Sequence, residues 1–160
     1  MRRTPFFRDI SARRCKLNPV AAETGTQKPM KKTLIYPEKH PAPRGAYSPG
    51  ILVEDGAAKT LYVTGQLAVD RSGNVVAPND AAAQTEFVFG LIGSILESAG
   101  MGFSDVVKLQ TFLTHMPDYA KFTLVRDRHF SQTRPASTLI EVKGLAREGC
   151  CVEVEVTAIK

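Results

Sequence analysis

The sequence predicts an α+β fold in which two helices cover one side of a single sheet. Three observations indicate this class: short runs rich in Leu, Val, Ile and Tyr, two segments with apolar residues at helical spacing, and the order β-β-α-β-α-β-β. A chain of 160 residues has room for one domain of ordinary size. Since no apolar run approaches the ~20 residues that span a bilayer, we expect no membrane partner.

The first predicted elements are two strands that form a hairpin. The apolar runs 50–53 and 60–69 are separated by Glu54-Asp55-Gly56, a spacing typical of a turn between antiparallel strands. Asn79-Asp80 is a good N-cap for the first helix. This helix presents one apolar stripe to a core, formed by Val88, Leu91, Ile92, Ile95, Leu96 and Ala99.

The second half of the chain adds a strand, a helix and two more strands. The strand covers 106–114, and Pro117-Asp118 opens a shorter helix that ends before Pro135. The last two strands are predicted at 137–142 and 150–159. Because side chains alternate along a strand, the final strand divides into two sides. One side is apolar, with Val152, Val154, Val156 and Ala158, and the other is polar, with Cys151, Glu153, Glu155 and Thr157.

The positive charge of the chain lies in its first residues. Residues 1–29 contain seven bases and two acids, whereas residues 30–160 contain fourteen of each. We therefore predict a basic, disordered extension over 1–29 and a single domain over 30–160. The extension is interpreted either as a stretch ahead of a natural start at Met30 or as a transit peptide, so the expected location is cytoplasmic, or mitochondrial in the second case. Because the domain is neutral, nucleic acid is not an expected partner.

Neither a metal nor a cofactor is expected. The three histidines have no zinc-binding spacing, and the chain has no glycine-rich phosphate loop. Cys15, Cys150 and Cys151 form neither a C-x-x-C pair nor an even disulfide framework, which favours a reducing compartment.

Two segments break the local rules, and such positions tend to mark functional sites. Gly65 interrupts a strong strand, which indicates a bulge or the close approach of a ligand, with packing alone as the other interpretation. Tyr47 lies in a segment stiffened by Pro41, Pro43 and Pro49, either as a simple cover or as part of a site. Glu153 and Glu155 belong either to a solvated strand side or to the lining of a cleft.

The set of short motifs resembles the YjgF/RidA (L-PSP) family across residues 33–159. The motifs are Gly45-Ala46-Tyr47-Ser48-Pro49, Val63-Thr64-Gly65-Gln66, Ala83-Gln84-Thr85, Val106-Val107-Lys108, Phe112-Leu113-Thr114, Arg134-Pro135-Ala136-Ser137-Thr138, Glu141-Val142 and Val152-Glu153-Val154-Glu155. The resemblance implies a chorismate-mutase-like fold with a ferredoxin-like element order, assembled as a homotrimer with three clefts between subunits. It also implies hydrolysis of reactive 2-imino or enamine acids to 2-oxo acids and ammonia.

The resemblance also implies site residues. Tyr47 and Glu153 match the catalytic positions, and Thr64 and Gly65 match positions that bind the ligand. The departure is at the P-A-R-S motif, where Ser137 stands in place of the arginine that clamps the substrate carboxylate. A hydroxyl cannot replace the paired charge-assisted bonds of a guanidinium. Arg134 is a candidate substitute for this role, and Arg44 is another.

These observations lead to three hypotheses of function. The first is a hydrolase of the Rid type that acts on a small imine or enamine metabolite other than the standard 2-imino acid. The alternative is a trimer that binds a small metabolite without catalysis. The lesser alternative is an endoribonuclease or translation inhibitor, a label that parts of the family carry.

Overall fold

The structure, a computed structural model, describes residues 29–38 and 40–160. The predicted basic extension therefore falls almost entirely outside the described residues. Within them, no helix combines the length and the hydrophobicity that a membrane span requires.

One mixed sheet forms the frame of the molecule. Its strands are β1 (Lys31–Ile35), β2 (Gly50–Asp55), β3 (Ala58–Leu67), β4 (Val106–Leu113), β5 (Ala136–Glu141) and β6 (Val152–Ile159). They lie in the order β1-β2-β3-β6-β4-β5. Neighbours are antiparallel except for β4 and β5, which run parallel. Helices α1 (Ala81–Ser98) and α2 (Tyr119–Phe130) complete the predicted α+β fold.

Strand β1 is an element that the sequence pattern did not predict. It is five residues long, begins with two lysines and pairs only with β2. Lys31 lies opposite Glu54 in the register, and the two side chains form an exposed ion pair at 3.5 Å. A short edge strand with charged residues carries little hydrophobic alternation, so its pairing partner determines its structure.

Helix α1 begins as predicted and buries most of the predicted stripe, but Leu91 is only partly buried and lies outside the core, on the wall of a cavity. The Asp80 side chain accepts hydrogen bonds from the backbone N–H groups of Ala82 and Ala83, both at 3.1 Å. The buried stripe of α1 packs with α2 and the inner side of β6 into one core. The fully buried members of this core include Val88, Ile92, Ile95, Leu96, Leu109, Phe122, Val152 and Val154.

Cys151 corrects the prediction for the polar side of the last strand. Cys151 is only 5% exposed and belongs to the core. The alternation of the strand does not apply to it, because β6 begins one residue later, at Val152. The Cys151 N–H donates to Oε1 of the buried Gln84 at 2.8 Å. The Gln84 amide group also donates to the carbonyl of Gly149 at 2.8 Å. Gln84 therefore ties helix α1 to the loop that precedes β6.

The side of the sheet that faces away from this core is called the open side below. The register places Leu34, Ile51 and Tyr62 next to one another on it. These side chains are 56%, 37% and 53% exposed. Glu153 and Glu155 lie on the same side, in register with residues of β4.

Candidate functional site

A bulge in β3 creates the centre of the site. The register between β3 and β6 shifts between Val63 and Gln66, so that neither Thr64 nor Gly65 has a partner on β6. The Thr64 N–H instead donates to the carbonyl of Pro49 at 3.0 Å. The predicted break in the strand is thus confirmed. A bulge of this kind redirects side chains and releases backbone groups from the ladder.

Gly65 is required here because of what it touches. A Cβ at this position would overlap the carboxylate of Glu153. The absence of a side chain therefore allows the Glu153 carboxylate to lie against the backbone of the bulge. The position fits the close-approach interpretation of a strand glycine.

Glu153 is a half-buried carboxylate on the open side of β6, in register with Leu67 and Phe112. Burial removes part of its hydration and raises its pKa above the ordinary glutamate value, and the like charge of Glu155 adds to this rise. A carboxyl group in this state can exchange a proton nearer to neutral pH, a property common at catalytic sites.

Tyr47 separates two cavities beside the bulge. The ring is 54% exposed and lines both. The first cavity, of about 440 Å³, also contains Thr64 and Glu155. The second, of about 520 Å³, contains Gly65. The structure therefore places Tyr47 and Thr64 in one cavity and Tyr47 and Gly65 in the other, whereas Glu153 lies against Gly65 and lines neither.

The proline-rich segment 41–49 is tied to the bulge through His40. His40 Nε2 lies 2.7 Å from Gln66 Oε1, and Gln66 Nε2 donates to the carbonyl of Thr64 at 2.9 Å. Within the described chain, the hydroxyl of the buried Ser48 has no hydrogen-bond partner. The contacts of His40 with Gln66 and of Gln66 with Thr64 hold the segment that carries Tyr47 against β3.

The second cavity is lined by three arginines: Arg44, Arg71 and Arg147. Arg147 Nη2 donates to the carbonyl of Gly73 at 2.6 Å. The guanidinium of Arg44 lies against the same glycine, where a Cβ would overlap it. The sequence singled out Arg44 but missed Arg71 and Arg147. Their only sequence signal was that they flank glycine turns, at Gly73 and Gly149, both with positive φ.

Ser137 and Arg134 lie elsewhere on the chain. Ser137 is in register with the buried Leu109, and Leu109 with the buried Val156, so Ser137 lies on the helix side of the sheet. Glu153 lies on the open side. A single chain therefore does not bring Ser137 and Glu153 into one cleft.

Arg134 shares a groove of about 420 Å³ with Ser137 at the end of α2. In a regular strand, their spacing of three residues would put them on opposite sides. However, β5 begins only at Ala136, and Arg134 has a left-handed backbone, with φ of 48°. The groove also contains Arg126, which pairs with Asp127 at 2.8 Å.

No group of three or more His, Cys, Asp or Glu residues within 29–38 and 40–160 is arranged to hold a metal ion. Both described cysteines are free and buried. Burial raises the pKa of Cys151 to about 11, which keeps its thiol protonated at neutral pH.

Comparison with known proteins gives consistent matches over most of the chain. A family profile described as Endoribonuclease L-PSP matches residues 37–160. A RutC family protein from Pyrococcus abyssi is 34% identical over 131 residues, which are 82% of this chain and 99% of that protein. The 2-iminobutanoate/2-iminopropanoate deaminase of Rattus norvegicus is 30% identical over 129 residues, covering 81% of this chain and 90% of the deaminase.

Solved structures agree with the sequence matches. The crystal structure of RidA from an Antarctic Psychrobacter superposes with a TM-score of 0.68 at 34% identity. The match covers 79% of this chain and 98% of that one. The sheet with two helices on one side is thus the fold of these relatives.

Proposed function

Because the chain belongs to the YjgF/RidA family, we propose that it hydrolyses a reactive imine or enamine to a carbonyl compound and ammonia. The observation that carries the proposal is the Glu153 carboxyl group, half-buried with a raised pKa and placed against the backbone of Gly65. The name of the rat relative supports the same reaction class. Tyr47 and Thr64 complete the cleft.

The reaction needs one proton relay, which Glu153 can provide. Ionised Glu153 accepts a proton from water as the water oxygen bonds to the C=N carbon, and it passes this proton to the imine nitrogen. The resulting carbinolamine carries one hydroxyl and one amino group. Glu153 then takes the hydroxyl proton and returns it to nitrogen as the C–N bond breaks. The products are a carbonyl group and ammonia, and Glu153 ends in its initial state.

Substrate binding in this protein differs from the arginine-clamp pattern. Ser137 offers a neutral hydroxyl, and in the single chain it lies on the other side of the sheet from Glu153. Arg44 lines the cavity that contains Gly65 and is placed to bind a carboxylate. A different set of arginines is consistent with a substrate other than the simple 2-imino acids.

We place the complete site between subunits of a homotrimer. Support comes from the open side, where Leu34, Ile51, Tyr62 and Ile140 expose apolar surface. A neighbouring subunit would cover this surface and could bring its own Ser137 groove towards Glu153. Sedimentation equilibrium of the full chain should give three times the mass of the 17.5 kDa chain. A monomer would contradict the assembly.

The test of the reaction follows the disappearance of freshly generated 2-imino acids above the spontaneous rate. We expect Glu153→Gln to lower the catalysed rate about 100-fold or more, as for the loss of a general base. The matched control is Glu97→Gln, at an exposed position on α1, which should keep the wild-type rate. A Glu153→Gln variant that hydrolyses imines as fast as the wild type would contradict the proposal.

The family description favours a second candidate, an endoribonuclease. Residues 30–160 contain as many acids as bases, which argues against strong binding of RNA by this part of the chain. Cleavage of RNA that persists in Glu153→Gln and weakens with added salt would support this candidate. If the wild type hydrolyses no imine but binds a 2-oxo acid, the non-catalytic binding trimer is favoured.

A further inference from the structure

The second cavity contains more positive charge than one carboxylate requires. Arg44, Arg71 and Arg147 come from three separate segments and line the same space of about 520 Å³, within the usual range for small-molecule sites. Tyr47 and Gly65 line the same cavity, and the backbone of Gly65 lies against the Glu153 carboxylate. Three guanidiniums next to a proposed reaction centre indicate an anionic ligand.

None of these three guanidiniums is neutralised by an ion pair within the described part of the chain. Other arginines are paired there: Arg126 with Asp127, and Arg128 with Glu86. Arg44, Arg71 and Arg147 have no carboxylate within 4.0 Å among residues 29–38 and 40–160. Arginines that face a cavity without a counter-ion are available for a ligand.

Asp70 is the one carboxylate among the described residues that line this cavity, and it is already engaged. Its two oxygens accept from the backbone N–H of Asn74 at 2.8 Å and from the Asn74 amide at 3.3 Å. These bonds fix the turn that presents Arg71. Asp70 therefore serves the turn, and the cavity keeps a net positive charge of about two at neutral pH.

Arg147 is also held in place by the fold. The bond from Arg147 to the Gly73 carbonyl joins the loop before β6 to the turn after β3. The Gly149 carbonyl in the same loop accepts from Gln84 at 2.8 Å and from the Asn79 N–H at 2.9 Å. Fixed donors favour a charged ligand because less ordering is needed on binding.

We propose that this cavity binds a second acidic group of the substrate, so that the protein acts on imines with two negative groups. This inference rests on the proposed function of the same site. Arg44 would hold the carboxylate next to the imine carbon, and Arg71 and Arg147 would hold the distal group. Bidentate guanidinium bonds suit a carboxylate and a phosphate equally, so the shared chemistry is a second acidic group on a small ligand.

The experiment measures binding of 2-oxo acids, the products of such imines, to the full chain by calorimetry. The probes are pyruvate with one acidic group, 2-oxoglutarate with two carboxylates, and 3-phosphonooxypyruvate with a carboxylate and a phosphate. We expect 2-oxoglutarate and 3-phosphonooxypyruvate each to bind at least about tenfold more tightly than pyruvate, since charge-assisted bonds are the strong ones. The tighter of these two ligands identifies the distal group.

Variants assign the preference to the cavity. Arg71→Gln and Arg147→Gln should each lower the preference for a ligand with two acidic groups about tenfold and leave pyruvate binding nearly unchanged. Arg71→Gln is the more decisive variant. Arg147→Gln also removes the bond to the Gly73 carbonyl, which supports a turn. The matched control is Arg128→Gln on α2, which pairs with Glu86 outside the cavity and should change nothing.

The outcomes separate this inference from the proposed function. Equal binding of pyruvate, 2-oxoglutarate and 3-phosphonooxypyruvate, or a preference that Arg71→Gln and Arg147→Gln do not change, would overturn the inference. Hydrolysis that depends on Glu153 could still hold in that case. An arginine-dependent preference without any imine hydrolysis would support the anion site and contradict the proposed reaction.

Discussion

Strand β6 has two sides that differ in almost every physical respect. On the side that faces the helices, Val152, Val154, Val156 and Ala158 are at most 3% exposed. On the open side, Glu153, Glu155 and Thr157 are half-buried, and burial, together with the like charge of Glu155, raises the pKa of Glu153. Adjacent residues of one strand thus serve different purposes. The helix side stabilises the fold, whereas the open side keeps polar groups at a cost in stability, as functional sites often do.

The largest effect should come from removing a side chain on the helix side. Leu109 is fully buried in β4, and Leu109→Ala should lower the free energy of unfolding by about 3 kcal/mol because it leaves a cavity. The next residue, Gln110, is half-buried on the open side, and Gln110→Ala should cost less than about 0.5 kcal/mol. Denaturant unfolding of both variants measures the difference. Equal losses of unfolding free energy in the two variants would show that the two sides of the sheet do not differ in their contribution to stability.

A smaller effect on stability is expected from a substitution at the bulge, where β3 meets β6. In Gly65→Ala, the added Cβ overlaps the Glu153 carboxylate, so we expect about 1–3 kcal/mol of destabilisation together with lost imine hydrolysis. The control is Gly90→Ala in α1, where a Cβ meets no atom within 4 Å. That variant should gain up to about 1 kcal/mol from helix propensity. Wild-type stability and activity in Gly65→Ala would refute the close contact.

The smallest expected change is a gain in stability on removing the Glu153 charge. Because the pKa of folded Glu153 is raised, the folded state favours the protonated form. The contribution of Glu153 to the stability of the fold is fully present below the ordinary glutamate pKa of 4.5, which applies to the unfolded chain. It is lost as the pH rises through the higher pKa of the folded state. Glu153→Gln should therefore melt above the wild type at neutral pH and nearly equal to it in acid. Thermal melts across this pH range, with Glu97→Gln as control, measure the effect. A lower melting temperature of Glu153→Gln than of the wild type at neutral pH would contradict the conclusion that the buried charge of Glu153 destabilises the fold.

The helix side of the molecule was largely predictable from the sequence. The spacing from Val88 to Leu96 predicted the buried stripe of α1, and Asp80 was predicted as its cap. Alternation along β6 placed its valines correctly, except that Cys151 lies before the strand and joins the core. These features follow from local periodicity. Strand β1 does not, because its structure depends on the pairing with β2.

The open side and the cavities were only partly predictable. Gly65 inside a strand indicated a bulge, and the family motifs identified Tyr47, Thr64 and Glu153. The raised pKa of Glu153 depends on burial, which no sequence pattern reveals. Arg71 and Arg147 meet only because turns far apart in the chain converge. The sequence therefore indicated the residues of the proposed reaction centre but not the charged cavity beside it.

The most direct test of this account is the pH dependence of kcat/KM for imine hydrolysis in the wild type and in Glu155→Gln. In the wild type, the rate should rise with pH through the raised pKa of Glu153, which must ionise to accept a proton. Glu155→Gln removes the like charge, so the rise should move to lower pH. A rise that keeps its position in Glu155→Gln, or that persists in Glu153→Gln, would contradict the assignment of Glu153 as the catalytic base.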